Sequence, residues 1–203
     1  MRIKSILSLV LLVTTTCMTA KAYMGGGGGY IFEPGIGYKT ETLKMTDLSQ
    51  NLTQYKFTGP VGTLKLGILS PSGVSLALAG EYSSGKAILD PTVTENPSFT
   101  HTIAGFQLGV SALNAMKIYL GYAPYNQLEI DSNNSLQGFK LSGQTYQAGV
   151  MFYPFSHLGI GAQYNVNIYK NITGTQFTNS KDVDTYYNKI DAQDVSIMLS
   201  ILF

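Results

Sequence analysis

The sequence predicts an all-β fold: an eight-stranded antiparallel up-and-down transmembrane β-barrel, preceded by a cleavable signal peptide. Three observations carry this. Apolar and polar residues alternate with period two in eight separate stretches, as expected of strands whose two faces meet different surroundings. The connections between those stretches alternate strictly between short and long. The 203-residue chain opens on a secretory signal, and no later apolar run reaches the roughly 20 residues that a spanning helix needs.

Arg2 and Lys4 form a positive n-region, and residues 6–13 form an apolar core broken only by Ser8. Ala20-Lys21-Ala22 then fits the small-x-small cleavage pattern, which predicts cleavage between Ala22 and Tyr23. Three segments are expected: residues 1–22 as signal peptide, 23–30 as a flexible glycine-rich tail, and 31–203 as the barrel. Gly25 to Gly29 are five consecutive glycines with no Lys and no helix after them, so they suit a tail and not a phosphate-cradling loop. Cys17, the one cysteine, lies in the signal, which excludes disulfides and thiol chemistry from the mature chain.

The strands follow in order. The first sets Phe32, Pro34, Ile36 and Tyr38 against Glu33, Gly35, Gly37, Lys39 and Glu41; the second sets Leu64, Leu66 and Ile68 against Thr63, Lys65 and Gly67. The third opposes Val74, Leu76, Leu78 and Tyr82 to Ser75, Ala77, Ala79 and Glu81, and the fourth Ala104, Phe106, Leu108 and Val110 to Gly105, Gln107, Gly109 and Ser111. The fifth has Ile118, Leu120 and Tyr122 against Tyr119, Gly121 and Ala123; the sixth has Tyr146, Ala148, Val150 and Phe152 against Thr145, Gln147, Gly149 and Met151. In the seventh, Leu158, Ile160, Ala162, Tyr164, Val166 and Ile168 alternate with Gly159, Gly161, Gln163, Asn165 and Asn167. The last places Val195, Ile197, Leu199, Ile201 and Phe203 on one face, and about nine to eleven residues suffice for a tilted strand to cross a bilayer.

Residues 70–73, 113–116 and 154–157 are the short turns; 44–55, 84–100, 126–140 and 170–188 are expected to be longer polar loops. This asymmetry suits tight periplasmic turns and longer extracellular loops, and an even strand count puts both termini in the periplasm. Because strands in lipid cannot leave backbone groups bare, the sheet must close. The apolar face then points to lipid, and the face rich in Gly, Gln, Asn, Ser and charge lines a lumen that eight strands leave just wide enough for side chains to fill. Composition agrees: only 12% of residues are charged, against about a quarter in soluble domains, while Gly 22, Tyr 14 and Phe 9 leave Tyr and Phe to form the interfacial girdles without Trp.

In this architecture and in these residues the chain resembles the small outer-membrane β-barrel family, of which the OmpA transmembrane domain and OmpX are members. The sharpest likeness is Val195-x-Ile197-x-Leu199-x-Ile201-x-Phe203, which resembles the C-terminal signal read by the barrel-assembly machinery. The resemblance implies the outer membrane of a Gram-negative cell, with outer-membrane lipid and lipopolysaccharide as surroundings and a monomeric barrel.

The inward charges Glu33, Lys39, Glu41, Lys65, Glu81 and Asp194 are the candidate network of the lumen, where a charge is costly unless paired. The expected pairs are Glu33 with Lys65, Lys39 with Asp194, and Glu81 near Lys65. Of the two histidines, His157 falls in a turn, and His101 is expected at the rim near Ser98 and Glu95, contacting water; neither begins the His-x-Ser sequence of barrel lipases. Asp182, Asp184 and Asp191 lack the close regular spacing of a calcium loop, so no metal and no cofactor is expected. Loss of Arg2, Lys4 and Lys21 leaves 10 bases against 12 acids, net −2, with no basic face for nucleic acid. The expectation is a non-enzymatic barrel with a plugged polar lumen, serving envelope integrity or surface interaction through its loops, where Phe177, Tyr186 and Tyr187 stand as a contact patch or an upward extension of the girdle. A small-solute channel is the alternative, and a lipid-modifying enzyme stands behind it.

Overall fold

Alternation and short turns produce the expected meander. The computed structural model describes residues 29–88, 96–112, 115–132, 137–155, 157–174 and 177–203. The signal, its junction at Ala22 and Tyr23, most of the glycine tail, and Glu95 lie outside the described residues. The strands are β1 (Gly29–Asp47), β2 (Leu52–Leu69), β3 (Val74–Ile88), β4 (Ser98–Ala112), β5 (Met116–Ile130), β6 (Phe139–Phe152), β7 (Leu158–Gly174), β8 (Phe177–Asp182) and β9 (Tyr187–Ile201), with a 3₁₀ turn, Val183–Thr185, before β9. Each of β1 to β7 pairs antiparallel with the next, β7 pairs with β9, and β9 pairs with β1, so eight strands close a ring. The ninth, β8, is a flap paired only with the top of β7.

At the seam the last residue zips to the first strand: Phe203 and Phe32 exchange backbone hydrogen bonds of 3.0 and 3.4 Å, and their rings lie 5.8 Å apart. Both described ends of the chain therefore sit at one end of the barrel, the base, with the short turns; the opposite end is the crown. The turn of residues 70–73 is a tight one, with Gly73 at φ 84° and its N–H donating to the Ser70 carbonyl at 3.0 Å.

The outward face carries the apolar belt. Val195, Ile197, Leu199, Ile201 and Phe203 are all exposed, Ile197 to 66%. They span about 26 Å along the strand at roughly 3.3 Å per residue, and about 20 Å of height at a tilt near 40°. Exposed Tyr38, Tyr82, Tyr122, Tyr125, Tyr146 and Tyr164 ring its crown side, and Phe32, Phe152 and Phe203 its base.

The crown differs from expectation. Residues 44–55 are no polar loop: β1 and β2 run on to a four-residue turn, 48–51, and the strands bounding residues 84–100, 126–140 and 170–188 are likewise longer than expected. The reason is a reversal of polarity. On β1 the outward residues change from Ile36 and Tyr38 to Thr40, Thr42 and Lys44, while the inward ones change from Lys39 and Glu41 to buried Leu43 and Met45. Above the belt the wall meets water, so the strands bury apolar residues inside as a soluble barrel does. Leu43, Met45, Tyr55, Phe57, Phe99, Leu128 and Leu141 form that crown core. Tyr186 and Tyr187 pack against it, half-buried, and are neither girdle nor free patch; the Phe177 side chain lies outside the described residues. The Asn51 backbone N–H and side-chain amide donate to the two Asp47 carboxylate oxygens at 2.8 and 2.9 Å, which closes the first turn and holds that carboxyl below the usual carboxylate range.

Candidate functional site

The inner face gathers the chemistry. Glu33, Lys39, Glu41, Lys65, Glu81 and Asp194 are all buried inside the barrel, as their register predicts. They fall into two layers.

In the layer nearer the base, Glu33 on β1 stands opposite Lys65 on β2, with Nζ 3.5 Å from Oε1. Lys117 on β5 reaches Oε2 at the same 3.5 Å. The Lys65 ammonium also lies 4.3 Å from the centre of the Tyr119 ring, whose hydroxyl donates to Gln163 Oε1 at 2.9 Å. The Tyr153 and Ser200 hydroxyls adjoin the same carboxylate, so Glu33 is surrounded by two ammonium groups and two hydroxyls in loose contact. Below this layer Ile31, Met151, Tyr153, Met198 and Leu202 pack together with Tyr119.

The central layer is built around Lys39. Its ammonium donates to Glu81 Oε1 at 2.8 Å, lies 3.2 Å from Asp194 Oδ2 and 4.0 Å from Glu41 Oε2, and sits 3.0 Å from His101 Nδ1. The Lys39–Asp194 and Glu33–Lys65 pairs are those expected. Glu81, expected near Lys65, interacts with it electrostatically, but its close ion pair, 2.8 Å, is with Lys39. His101 is no rim residue. It is fully buried, because β4 begins at Ser98 and the odd-numbered inward register of Gln107 continues up to it.

Amide side chains close this network. Gln163 donates to Glu81 Oε2 at 2.9 Å, Asn165 to Asp194 Oδ1 at 2.9 Å, and Asn167 to Asp194 Oδ2 and Glu41 Oε1 at 2.9 and 3.2 Å. The Tyr169 hydroxyl donates to Glu41 Oε1 at 3.2 Å. Asn126 spends its amide donors on Thr145 and Asn167, so its Oδ1, 2.7 Å from His101 Nε2, accepts from the ring. His101 Nδ1 then faces Glu41 Oε2 at 2.8 Å, a contact that requires one proton between the two atoms. Four carboxyl groups oppose three ammonium groups in the lumen, and that shared proton balances the set, as a poorly hydrated interior demands.

Two catalytic or metal readings can be tested on this geometry. Ser83 stands opposite His101 on the neighbouring strand, yet its hydroxyl makes no hydrogen bond; both ring nitrogens are engaged elsewhere, and all are sealed from solvent. Glu41, His101 and Asp194 each bring one ligand atom within 4.8 Å of the others, but the Lys39 ammonium stands among them and fills the place of a cation. His157, placed in a turn by the sequence, donates from Nδ1 to the Leu202 carbonyl at 3.0 Å and pins the end of the chain.

Replacing Asp194 by Asn keeps the shape but removes a carboxylate that accepts two amide hydrogen bonds and the Lys39 contact. Asp194→Asn is expected to lower unfolding stability by about 2 kcal/mol, the scale of a charge-assisted bond. Urea titration in lipid vesicles measures it, and an unchanged midpoint would show that the closure at the seam is not electrostatic.

An antiparallel eight-stranded ring with an outward apolar belt and an inward charged network defines the class: this is the fold of small outer-membrane β-barrels. No known family model and no curated protein matches the sequence. Among solved structures the chain is similar to Ail, the attachment invasion locus protein of Yersinia pestis, at 12% identity and TM-score 0.54, over 86% of this chain and 99% of that one. It is similar to Neisserial surface protein A at 13% identity and TM-score 0.51, over 87% and 99%, and to the outer membrane protein AlkL at 12% identity and TM-score 0.51, over 91% and 94%. At these identities the likeness is one of fold.

Proposed function

We propose that this chain is a non-enzymatic integral protein of the outer membrane with a closed lumen, base toward the periplasm and crown outside, serving envelope integrity or surface contact. The observation that carries the reading is the stacking of layers: a charged network, internally paired, lies between apolar clusters at base and crown. A permeating solute would have to break the Lys39 cluster and enter the Leu43–Phe57–Leu141 core. The rigid crown, with its polar outer wall, is then the part available to partners, as loops on a scaffold usually are. Val195, Ile197, Leu199, Ile201 and Phe203 face outward in one stripe, where the barrel-assembly machinery would meet them before the seam closes.

Single-channel recording in planar bilayers tests this. The wild type and Lys65→Ala are expected to give no conductance steps; steps from the wild type would favour the small-solute channel. The loosely paired Glu33, Lys65 and Lys117 favour that second reading only at the base, since the Lys39 cluster and the apolar crown core fill the lumen above them.

A further inference from the structure

The outer wall of the crown is interrupted where β6 loses regular pairing with both of its neighbours at one height. On one side β5 sets two residues, Pro124 and Tyr125, against Gln144 alone, between the pairs Ala123–Thr145 and Asn126–Gly143. On the other side Lys170 of β7 is the extra residue, between the pairs Tyr169–Gly143 and Asn171–Ser142. Ala123 and Asn126 are both buried, so Pro124 and Tyr125 both lie outside; Tyr169 and Ile172 are both buried, so Lys170 and Asn171 do too. Bulges re-aim side chains in this way, and a proline within a sheet is confined to such places or to edges.

The two bulges raise banks on either side of β6 and leave a cleft of about 290 Å³, floored by residues 142–144. Gly143 lets β7 close in, since a Cβ there would collide with the Ile168 carbonyl. The β5 bank offers the rings of Pro124 and Tyr125; Tyr125 is 47% exposed, with its hydroxyl donating to Gln127 Oε1 at 2.9 Å. The floor and the β7 bank offer hydrogen-bonding groups, and among the described residues the Ser142 hydroxyl, the Asn171 amide and the Lys170 ammonium have no side-chain partner. Charge around the cleft is balanced: Asp182 on β8 stands opposite Asn171, next to Lys170, and Lys140 lies 4.0 Å from Glu129 higher on the wall. On the belt side, the Tyr122 hydroxyl donates to Gln144 Oε1 at 3.1 Å and its ring lies 5.4 Å from that of Tyr146, which makes a sill between the cleft and the lipid.

We infer that this cleft binds a neutral pyranose ring of a carbohydrate chain that is not anchored in lipid. The inference rests on the crown lying outside the membrane, as proposed above, and adds a ligand class and a site to that reading. A pyranose has an apolar C–H face and a rim of hydroxyls that both donate and accept. The cleft opposes the same two surfaces, ring faces on β5 and amide, hydroxyl and ammonium groups on β6 and β7. Its volume is at the lower end for small-molecule sites, which suits a single ring. The balanced charge selects a neutral sugar over a uronate or a sulfate, and the sill of Tyr122 and Tyr146 separates the cleft from a glycan rooted in the membrane.

The test uses the full mature chain folded in a sugar-free detergent and titrated with maltotriose, chitotriose and a hyaluronan tetrasaccharide, with binding read by saturation-transfer NMR. The expected result is transfer to the ring protons of at least one neutral trisaccharide, and weaker or no transfer to the acidic one. Tyr125→Ala and Ser142→Ala/Asn171→Ala should each weaken that binding on the order of tenfold, the scale of losing a buried aromatic or paired polar contact. Lys56→Gln, on the far side of the crown, should leave it unchanged. Transfer to neither neutral sugar, equal transfer in Tyr125→Ala, tighter binding of the acidic sugar, or binding only of a sugar carried on a lipid would each overturn the inference. The substituted side chains lie on the outer wall, so the variants should keep the electrophoretic shift of a folded barrel. Orientation is read separately, by thiol labelling of Leu48→Cys on intact cells: an unlabelled crown would remove the outside placement, whatever the purified protein does with sugar.

Discussion

Lys39→Met is expected to be the most damaging single substitution in the lumen, lowering unfolding stability by about 3–5 kcal/mol. The side chain is 1% exposed, and its ammonium is the common partner of Glu81, Asp194 and Glu41. Methionine fills similar volume, so the cost is electrostatic: three carboxyl groups remain inside without the ammonium, held by amides, Tyr169 and, for Glu41, His101. The prediction carries its own control. Adding Glu81→Gln and Asp194→Asn to Lys39→Met removes most of the uncompensated charge and should recover more than half of the loss, a coupling expected only of groups in one network. Urea midpoints for the single, double and triple variants decide it. A single variant as stable as the wild type would mean that the lumen is wet enough to solvate the carboxylates, and the sealed-barrel account would fail.

Gly149→Ala is expected to cost about 1–3 kcal/mol through overpacking. A Cβ at this inward position of β6 would collide with Cζ and the hydroxyl of Tyr119 on the adjacent strand. That ring is 1% exposed, lies under the Lys65 ammonium and is tied to Gln163, so it cannot swing away without breaking both contacts. Gly149→Ala/Tyr119→Leu should be less destabilised than the two single changes predict together, because the smaller side chain frees the space. Strict additivity would show that the glycine is there for strand geometry and not for the ring.

The period-two pattern made the belt, the ring and the inward charge set legible, because lipid on one side and a narrow lumen on the other leave each strand only one way to face. The two pairs at Glu33–Lys65 and Lys39–Asp194 followed from register alone. What was not legible has identifiable causes. The crown strands were hidden by the reversal of polarity above Tyr38: Lys44 to Tyr55 is polar in composition, yet Leu43, Met45, Tyr55 and Phe57 keep the inward parity and fill a core. His101 was lost with them, although counting up from Gln107 would have placed it inside. Asn126 was masked by a bulge between Ala123 and Asn126 that reverses the parity of β5. The pairing of Glu81 with Lys39 runs across the lumen and depends on reach, which strand-neighbour counting does not supply.

A closed ring, an apolar belt and a buried charge network converge on one proposal, that the chain folds as a sealed barrel in the outer membrane. Electrophoresis after outer-membrane fractionation tests it most directly. The unboiled protein from the outer-membrane fraction should migrate apart from the boiled sample, and the separation should narrow for Lys39→Met at lower temperature than for the wild type. A product that stays in the soluble fraction, or migrates identically boiled and unboiled, would contradict it.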